Sequence, residues 1–185
     1  AASITDDEIA RFWGDFLVYI DEGLRPDPSR SLAESWEVSS DGLFYTFRLR
    51  DGVTFHDGTT MDAEDVKFSL DRARAEDSAN AQKALFTGIA DVTVIDPQTV
   101  QVTLSAPNGG FLTNMAWGDA VIVAPESVEN AATAPVGTGP FTLEEWRRGQ
   151  EVIFAVNPDY WGEAPMNDRT VLRWSSEPGQ KLIEL

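Results

Sequence analysis

His56 is the only histidine among 185 residues, and cysteine is absent. Disulfides, zinc–thiolate sites, iron–sulfur clusters and cysteine nucleophiles are thereby excluded. One imidazole falls short of a metal coordination set, so neither a metal nor another cofactor is expected. Within Phe55-His56-Asp57-Gly58 the ring reads as a turn residue beside a strand. Serine–histidine catalysis would rest on His56 alone, and no Gly-x-Ser-x-Gly elbow is present. Carboxylates are abundant, in Asp6-Asp7-Glu8, Asp21-Glu22, Asp62-Glu64-Asp65 and Glu144-Glu145. Two of them held across a sugar would make an acidic glycoside hydrolase. The first and third clusters instead fall at helix starts, where negative charge is favoured, and no spacing fits a calcium loop. Gly137-Thr138-Gly139-Pro140 fails both the dinucleotide and the P-loop pattern. Its glycines supply unusual dihedrals and its flanking prolines stiffness, which suits a crossing between domains. Six Trp, ten Phe and three Tyr form the richest set, because Trp and Tyr offer a cleft a rigid face and a polar handle.

The elements that must position these residues are partly legible. Thr5 and Glu8 form a capping box with Ile4 and Ile9 as a staple. Ile9, Phe12, Trp13, Phe16, Leu17 and Ile20 follow a helical period, ended by Gly23 and Pro26. Tyr45, Phe47 and Leu49 alternate as a strand preceded by Trp36, and residues 53–55 form a short one between two Asp-Gly turns. Asp62 caps a second helix with Asp65 at its third position and a stripe of Ala63, Val66, Leu70 and Ala73. A third helix is expected over residues 79–86. Residues 92–95 and 100–104 read as a hairpin. Short helices are expected at 111–116 and 126–130, and a buried strand at 121–123. Strands at 141–146, 151–156 and 171–174 follow, then a helix opening at 180–185. Hairpins interspersed with helices make the class α+β, or mixed α/β.

The charge narrows the partners. Thirty-one acidic against 14 basic residues leave −17. Phosphate binding needs clustered Lys and Arg, so nucleic acid is excluded as a partner, and an anionic membrane surface is disfavoured. The longest apolar runs, such as 16–20, fall far below the roughly twenty residues of a bilayer span, so no membrane span is expected. No signal peptide opens the sequence, which fits a cytosolic protein or a mature, trimmed form.

Leu32-Ala33-Glu34-Ser35-Trp36-Glu37-Val38-Ser39 is followed by Asp41-Gly42 and by Tyr45-Thr46-Phe47-Arg48-Leu49-Arg50-Asp51-Gly52-Val53. Phe55-His56-Asp57-Gly58 and Asp62-Ala63-Glu64-Asp65-Val66-Lys67-Phe68-Ser69 come next. Pro135-Val136-Gly137-Thr138-Gly139-Pro140-Phe141 and Asn157-Pro158-Asp159-Tyr160-Trp161-Gly162 complete the series. In this order, over residues 32–174, they closely resemble the signature of the peptide/nickel-type (family 5) solute-binding proteins of bacterial ABC importers.

The resemblance implies a periplasmic-binding-protein-like lobe with an inserted small α+β region. It implies a bilobed receptor that closes on a small solute without catalysis and delivers it to a membrane permease. Peptides are the default solute, with nickel complexes and oligosaccharides open, and a solute-sensing module of a regulator is an alternative use. Residues 1–27 and 136–185 would be parts of a discontinuous lobe I, and 28–135 an inserted domain II. The family's opening strand and its opposing lobe are missing, so the sequence reads as an N-terminal portion. Such a protein would be periplasmic, or extracytoplasmic and lipid-anchored in a Gram-positive host, and the isolated chain a monomer or weak dimer. Phe86 resembles a position where the family sets an aromatic against the solute. Tyr19, Trp117 and Gly118 are further candidates, and Thr138 would line the cleft with its backbone.

Overall fold

The computed structural model describes residues 6–173 except 79, 81, 131 and 132. Helices are α1 (Asp6–Trp13), α2 (Ala63–Arg74) and α3 (Phe111–Asn114). Strands are β1 (Ala33–Val38), β2 (Phe44–Leu49), β3 (Ile89–Asp96), β4 (Thr99–Leu104), β5 (Phe141–Arg147), β6 (Glu151–Val156) and β7 (Arg169–Arg173).

The strongest local instruction lies at Asp62. Its carboxylate accepts from Glu64 N at 2.8 Å, and the Asp65 carboxylate accepts from Asp62 N at 2.9 Å. This reciprocal box satisfies amides that the first turn leaves without partners. Ala63, Val66, Leu70 and Ala73 then fall on one buried face of α2. The box has a cost. Burial, followed by repulsion from Asp62, Glu126 and Asp57, pushes the Asp65 carboxyl up to about 6.

That face covers an antiparallel sheet of order β1-β2-β4-β3. Tyr45, Phe47 and Leu49 point inward from β2, and Val100, Val102 and Leu104 from β4. The register sets Tyr45 opposite Val102 and Phe47 opposite Val100, so the alternation closes one continuous apolar face. The hairpin expected around residues 96–99 forms, with Gln98 N donating to the Asp96 carboxylate at 2.8 Å. A second antiparallel sheet, β5-β6-β7, buries Phe141, Val152 and Phe154 against Ile9 and Phe12 of α1. The Phe12 ring stacks on Phe154 at 5.3 Å.

Several expectations need correction. The first helix stops at Trp13, not near residue 20. Residues 15–18 pass through the core as a non-helical segment, with a bridge at Phe16 and a bend at Leu17 and Val18: Phe16 O accepts from Leu32 N, Leu17 O from Ala33 N and Asp15 O from Ile122 N. Leu17 and Val18 are both fully buried, and a run of apolar residues mimics a helical stripe over so short a span. A Cβ on Gly14 would stand 2.1 Å from Val121 Cγ2, so this approach requires glycine. The strands expected at 53–55 and 121–123 shrink to isolated bridges, Thr54 to Thr60 and Phe16 to Val121. Trp36 lies within β1 rather than before a strand. Of the helix expected over 79–86, the described residues show a 3-10 turn at Lys83–Leu85. Ile4, Thr5, Trp174 and the helix opening at 180–185 lie outside the described residues.

The Gly-Thr-Gly-Pro passage crosses from the first sheet to the second directly over the end of α1. Gly139 N donates to Trp13 O at 3.1 Å. A Cβ on Gly137 would lie 2.3 Å from Trp13 O, and one on Gly139 2.6 Å from Trp13 C. Both obstacles are backbone and cannot swing away. Gly139→Ala is therefore expected to lower unfolding free energy by about 3 kcal/mol, the upper range for overpacking. Gly88→Ala, with nothing within 4 Å of its Cβ, is expected to change it by under about 0.5 kcal/mol. Urea denaturation of both variants checks this, and equal losses would contradict the close approach.

Candidate functional site

Where the segment of residues 15–18 meets the crossing, Asp15 is buried. Its Oδ2 accepts from Trp161 Nε1 at 2.8 Å and from Thr138 Oγ1 at 3.0 Å, and its Oδ1 from the Tyr160 hydroxyl at 3.3 Å. A buried carboxylate is tolerated when donors replace its water. Burial raises the Asp15 pKa, while the bonds from Trp161, Thr138 and Tyr160 pull it back. The Tyr160 hydroxyl is in turn raised, first by burial and then by the Asp15 charge. Asn157, at the head of the same segment, donates its side-chain amide to Gly139 O at 3.1 Å.

Above this node opens a cleft of about 680 Å³, within the usual range for small-molecule sites. Its lining includes Asp15, Tyr19, Arg30, Tyr160 and Trp161. Two cation–π contacts shape the rim. The Arg30 guanidinium carbon lies 3.8 Å from the Tyr19 ring centroid, and that of Arg50 4.7 Å from Trp161. The walls are aromatic and the floor is a sealed carboxylate, an arrangement suited to holding a polar solute rather than transforming it.

His56 is more than a turn residue. Its backbone N–H donates to Gly137 O at 2.9 Å. Nε2 lies 3.0 Å from Gly139 O and Nδ1 3.5 Å from Gly137 N. A carbonyl only accepts and an amide only donates, so the ring is the neutral Nε2–H tautomer. Burial holds its pKa below the usual value of 6.5, against the Gly139 bond and the Asp57 charge. His56 thus staples the crossing to the first sheet.

Of the sequence candidates, Tyr19 lines the cleft. Thr138 is fully buried and reaches it through its side-chain bond to Asp15 rather than by its backbone. Phe86 is fully buried in the main core, and a ring without exposed surface offers a solute no face in this structure. Trp117 is exposed and Gly118 opens a 3-10 turn, and neither is in the cleft lining. Asp15 escaped the sequence reading, although a single acid heading an apolar run was its signal. The acidic clusters whose side chains are described have structural partners. Asp21 Oδ1 accepts from Gly23 N and Arg25 N at 2.8 Å each, Glu144 pairs with Arg169 and Glu145 with Arg147. The side chains of Asp6-Asp7-Glu8 lie outside the described residues. No group of three His, Cys, Asp or Glu residues able to hold a metal occurs among the described residues.

The sequence matches the bacterial extracellular solute-binding proteins, family 5 Middle, over residues 27–183. The chain belongs to this family of binding proteins. It is 40% identical over 134 residues to the glutathione-binding protein GsiB of Salmonella paratyphi A, a match covering 70% of this chain and 26% of that protein. The chain thus spans about a quarter of the length of the curated relatives it matches. Its structure is similar to that of the binding protein AgaA of A. tumefaciens R10 in complex with agropinic acid, with a TM-score of 0.89 and 30% identity over 100% of this chain and 38% of AgaA. It is similar also to a dipeptide-binding protein of Pseudoalteromonas sp. SM9913 in complex with Met-Leu, with a TM-score of 0.86 and 27% identity over 100% of this chain and 41% of that one. The fold is accordingly a mixed α/β portion of the periplasmic-binding-protein architecture. These relatives are binding proteins and not enzymes, which disfavours the glycoside hydrolase reading.

Two predictions follow from the node and the staple. Asp15→Ala strands three donors and is expected to cost about 3 kcal/mol, since an unsatisfied buried group costs roughly 1–3. Asp15→Asn is expected to cost under about 1 kcal/mol, because its amide oxygen serves Trp161 and Thr138 while its N–H₂ donates to the Tyr160 hydroxyl, which can accept. Equal losses in urea denaturation would contradict the node. For His56 the folded pKa lies below the unfolded one, so its contribution is complete above about pH 6.5 and is lost as pH falls toward the folded value. The stability gap between wild type and His56→Gln is expected to move against wild type from pH 7.5 to pH 5. A gap constant with pH would contradict the neutral staple.

Proposed function

We propose that the chain forms one wall of the solute cleft of an extracytoplasmic binding protein that serves an ABC importer. The observation that carries this reading is the cleft of about 680 Å³, walled by Tyr19, Tyr160 and Trp161 over a satisfied carboxylate, in a chain of the family 5 solute-binding proteins. The solute is a small polar molecule of peptide-like character. Relatives whose names or structures carry glutathione, Met-Leu and agropinic acid support that size and polarity. Delivery is to a membrane permease, and the location is the periplasm or its extracytoplasmic equivalent. Among the described residues no helix is long and apolar enough to cross a membrane.

The domain division belongs to the same proposal. Boundaries near residues 28 and 135 leave a four-stranded sheet with α2 as the inserted region. The helix α1 and the three-stranded sheet around Phe141 and Phe154 then form part of lobe I. Tyr19 acts as a direct wall of the cleft. Thr138 acts by holding Asp15.

Titration of the ¹⁵N-labelled chain with Met-Leu and with glutathione tests this reading. The Trp161 indole and the amides around Tyr19 and Tyr160 are expected to shift in a saturable way. Shifts centred on the Trp117 indole and Gly118 would move the site to that face, and absence of saturable shifts with either solute would overturn the reading.

A further inference from the structure

We infer that Arg30 is the anion-recognising residue of the cleft, and that the solute it selects carries a carboxylate. This rests on the cleft being the solute site.

The first ground is how firmly Arg30 is placed. Residues Pro28–Arg30 form a 3-10 turn whose cap, Asp27, accepts from Ser29 N at 2.9 Å and from Ser29 Oγ at 2.6 Å. Arg50 Nη2 holds Pro28 O at 2.8 Å from the other side. Tyr19 is tied to the same turn, its N–H donating to Ser31 Oγ at 2.8 Å and its carbonyl accepting from Asp27 N at 2.8 Å. The guanidinium then sits 3.8 Å from the Tyr19 ring centroid. The cation is thereby seated over the ring in a cation–π contact. One ring contact leaves the guanidinium with N–H donors free to meet a partner.

The second ground is what those donors lack. Among the described residues Arg30's guanidinium makes no hydrogen bond and no ion pair. The other cations nearby are engaged: Arg11 Nη2 donates to Ala116 O at 3.3 Å, and Arg50 donates to Pro28 O and Ser31 O. Asp27 on the same turn feels the Arg30 charge but makes no ion pair with it. Asp15, the acid of the cleft floor, already accepts from three side chains. A planar, pre-positioned fork without a partner, in the mouth of a small-molecule cleft, matches the two oxygens of a carboxylate. The net charge of −17 sharpens the point, because most of this surface repels anions and Arg30 is a local exception at the cleft.

The test uses matched probes, Met-Leu and its C-terminal amide, titrated at low salt into wild type, Arg30→Gln and Arg30→Lys, with affinity read by calorimetry and by the Trp161 indole shift. Wild type is expected to bind the free acid about tenfold more tightly than the amide, the size of one charge-assisted hydrogen-bond pair. Arg30→Gln should erase that preference while still binding both weakly, and Arg30→Lys should retain part of it, keeping the charge but losing the fork. The Arg30 side chain is exposed, so both variants should keep the wild-type melting temperature. Equal affinity of wild type for acid and amide, or an unchanged preference in Arg30→Gln, overturns the inference and leaves the cleft reading intact. Binding of neither probe overturns both.

Discussion

Burying the Asp15 carboxylate is the constraint on which the rest of this structure depends. A carboxylate removed from water requires donors in fixed positions. Here they come from Thr138 on the crossing and from Tyr160 and Trp161 beyond β6. Its own backbone carbonyl accepts from Ile122 N at 3.1 Å. One residue thereby ties the core segment of residues 15–18, the passage between the two sheets and the aromatic wall of the cleft. The two cores meet at this point: Phe16, Leu17 and Val18 pack into the larger one, while Ile9 and Phe12, just before, pack into the smaller. Without the node, the wall of Tyr160 and Trp161 would keep the Asn157 bond to Gly139 O and the Arg50 contact with Trp161.

The glycines and the histidine of the crossing serve the same end. Gly137 and Gly139 let two backbones approach where a Cβ would collide with Trp13. His56 fastens the crossing from the opposite side with both ring nitrogens and its own amide. These residues belong to short motifs far apart in sequence, and the structure shows why their types are restricted. The Phe-His-Asp-Gly turn and the Gly-Thr-Gly-Pro passage are two halves of one joint. The joint fastens the passage between the two sheets beside the end of α1.

Much of the fold was legible because its signals are local. The box at Asp62 and Asp65, the stripe of Ala63, Val66, Leu70 and Ala73, and the alternation in β2 and β4 each depend on a few neighbouring residues. The first helix was overextended because residues 16–20 satisfy a helical period, whereas their true partners lie at 31–33 and 121–122. Tertiary pairing overrode local pattern there. The site was less legible for the same reason. Tyr19, a candidate beside the family resemblance, lines the cleft, whereas Phe86 shares its composition with a core residue and is one in this structure. Asp15 matters because of side chains 123 to 146 positions away and Arg30 because of the Tyr19 ring it sits over, and no spacing rule reports that. The family resemblance supplied the class of protein, and the geometry supplied the residues.

Asp15 holds the two sheets and the cleft wall together. Native-state hydrogen exchange of wild type and Asp15→Ala, followed amide by amide, tests it most directly. The variant is expected to lose protection together at Ile122 and Gly139, whose amides bond across the joint to Asp15 O and Trp13 O, and at Tyr160, whose amide closes the turn on Asn157 O beside the node, while Val100 and Val102 of β4 stay as slow relative to global unfolding as in wild type. Unchanged protection at the joint, or a uniform loss across both sheets, would contradict it.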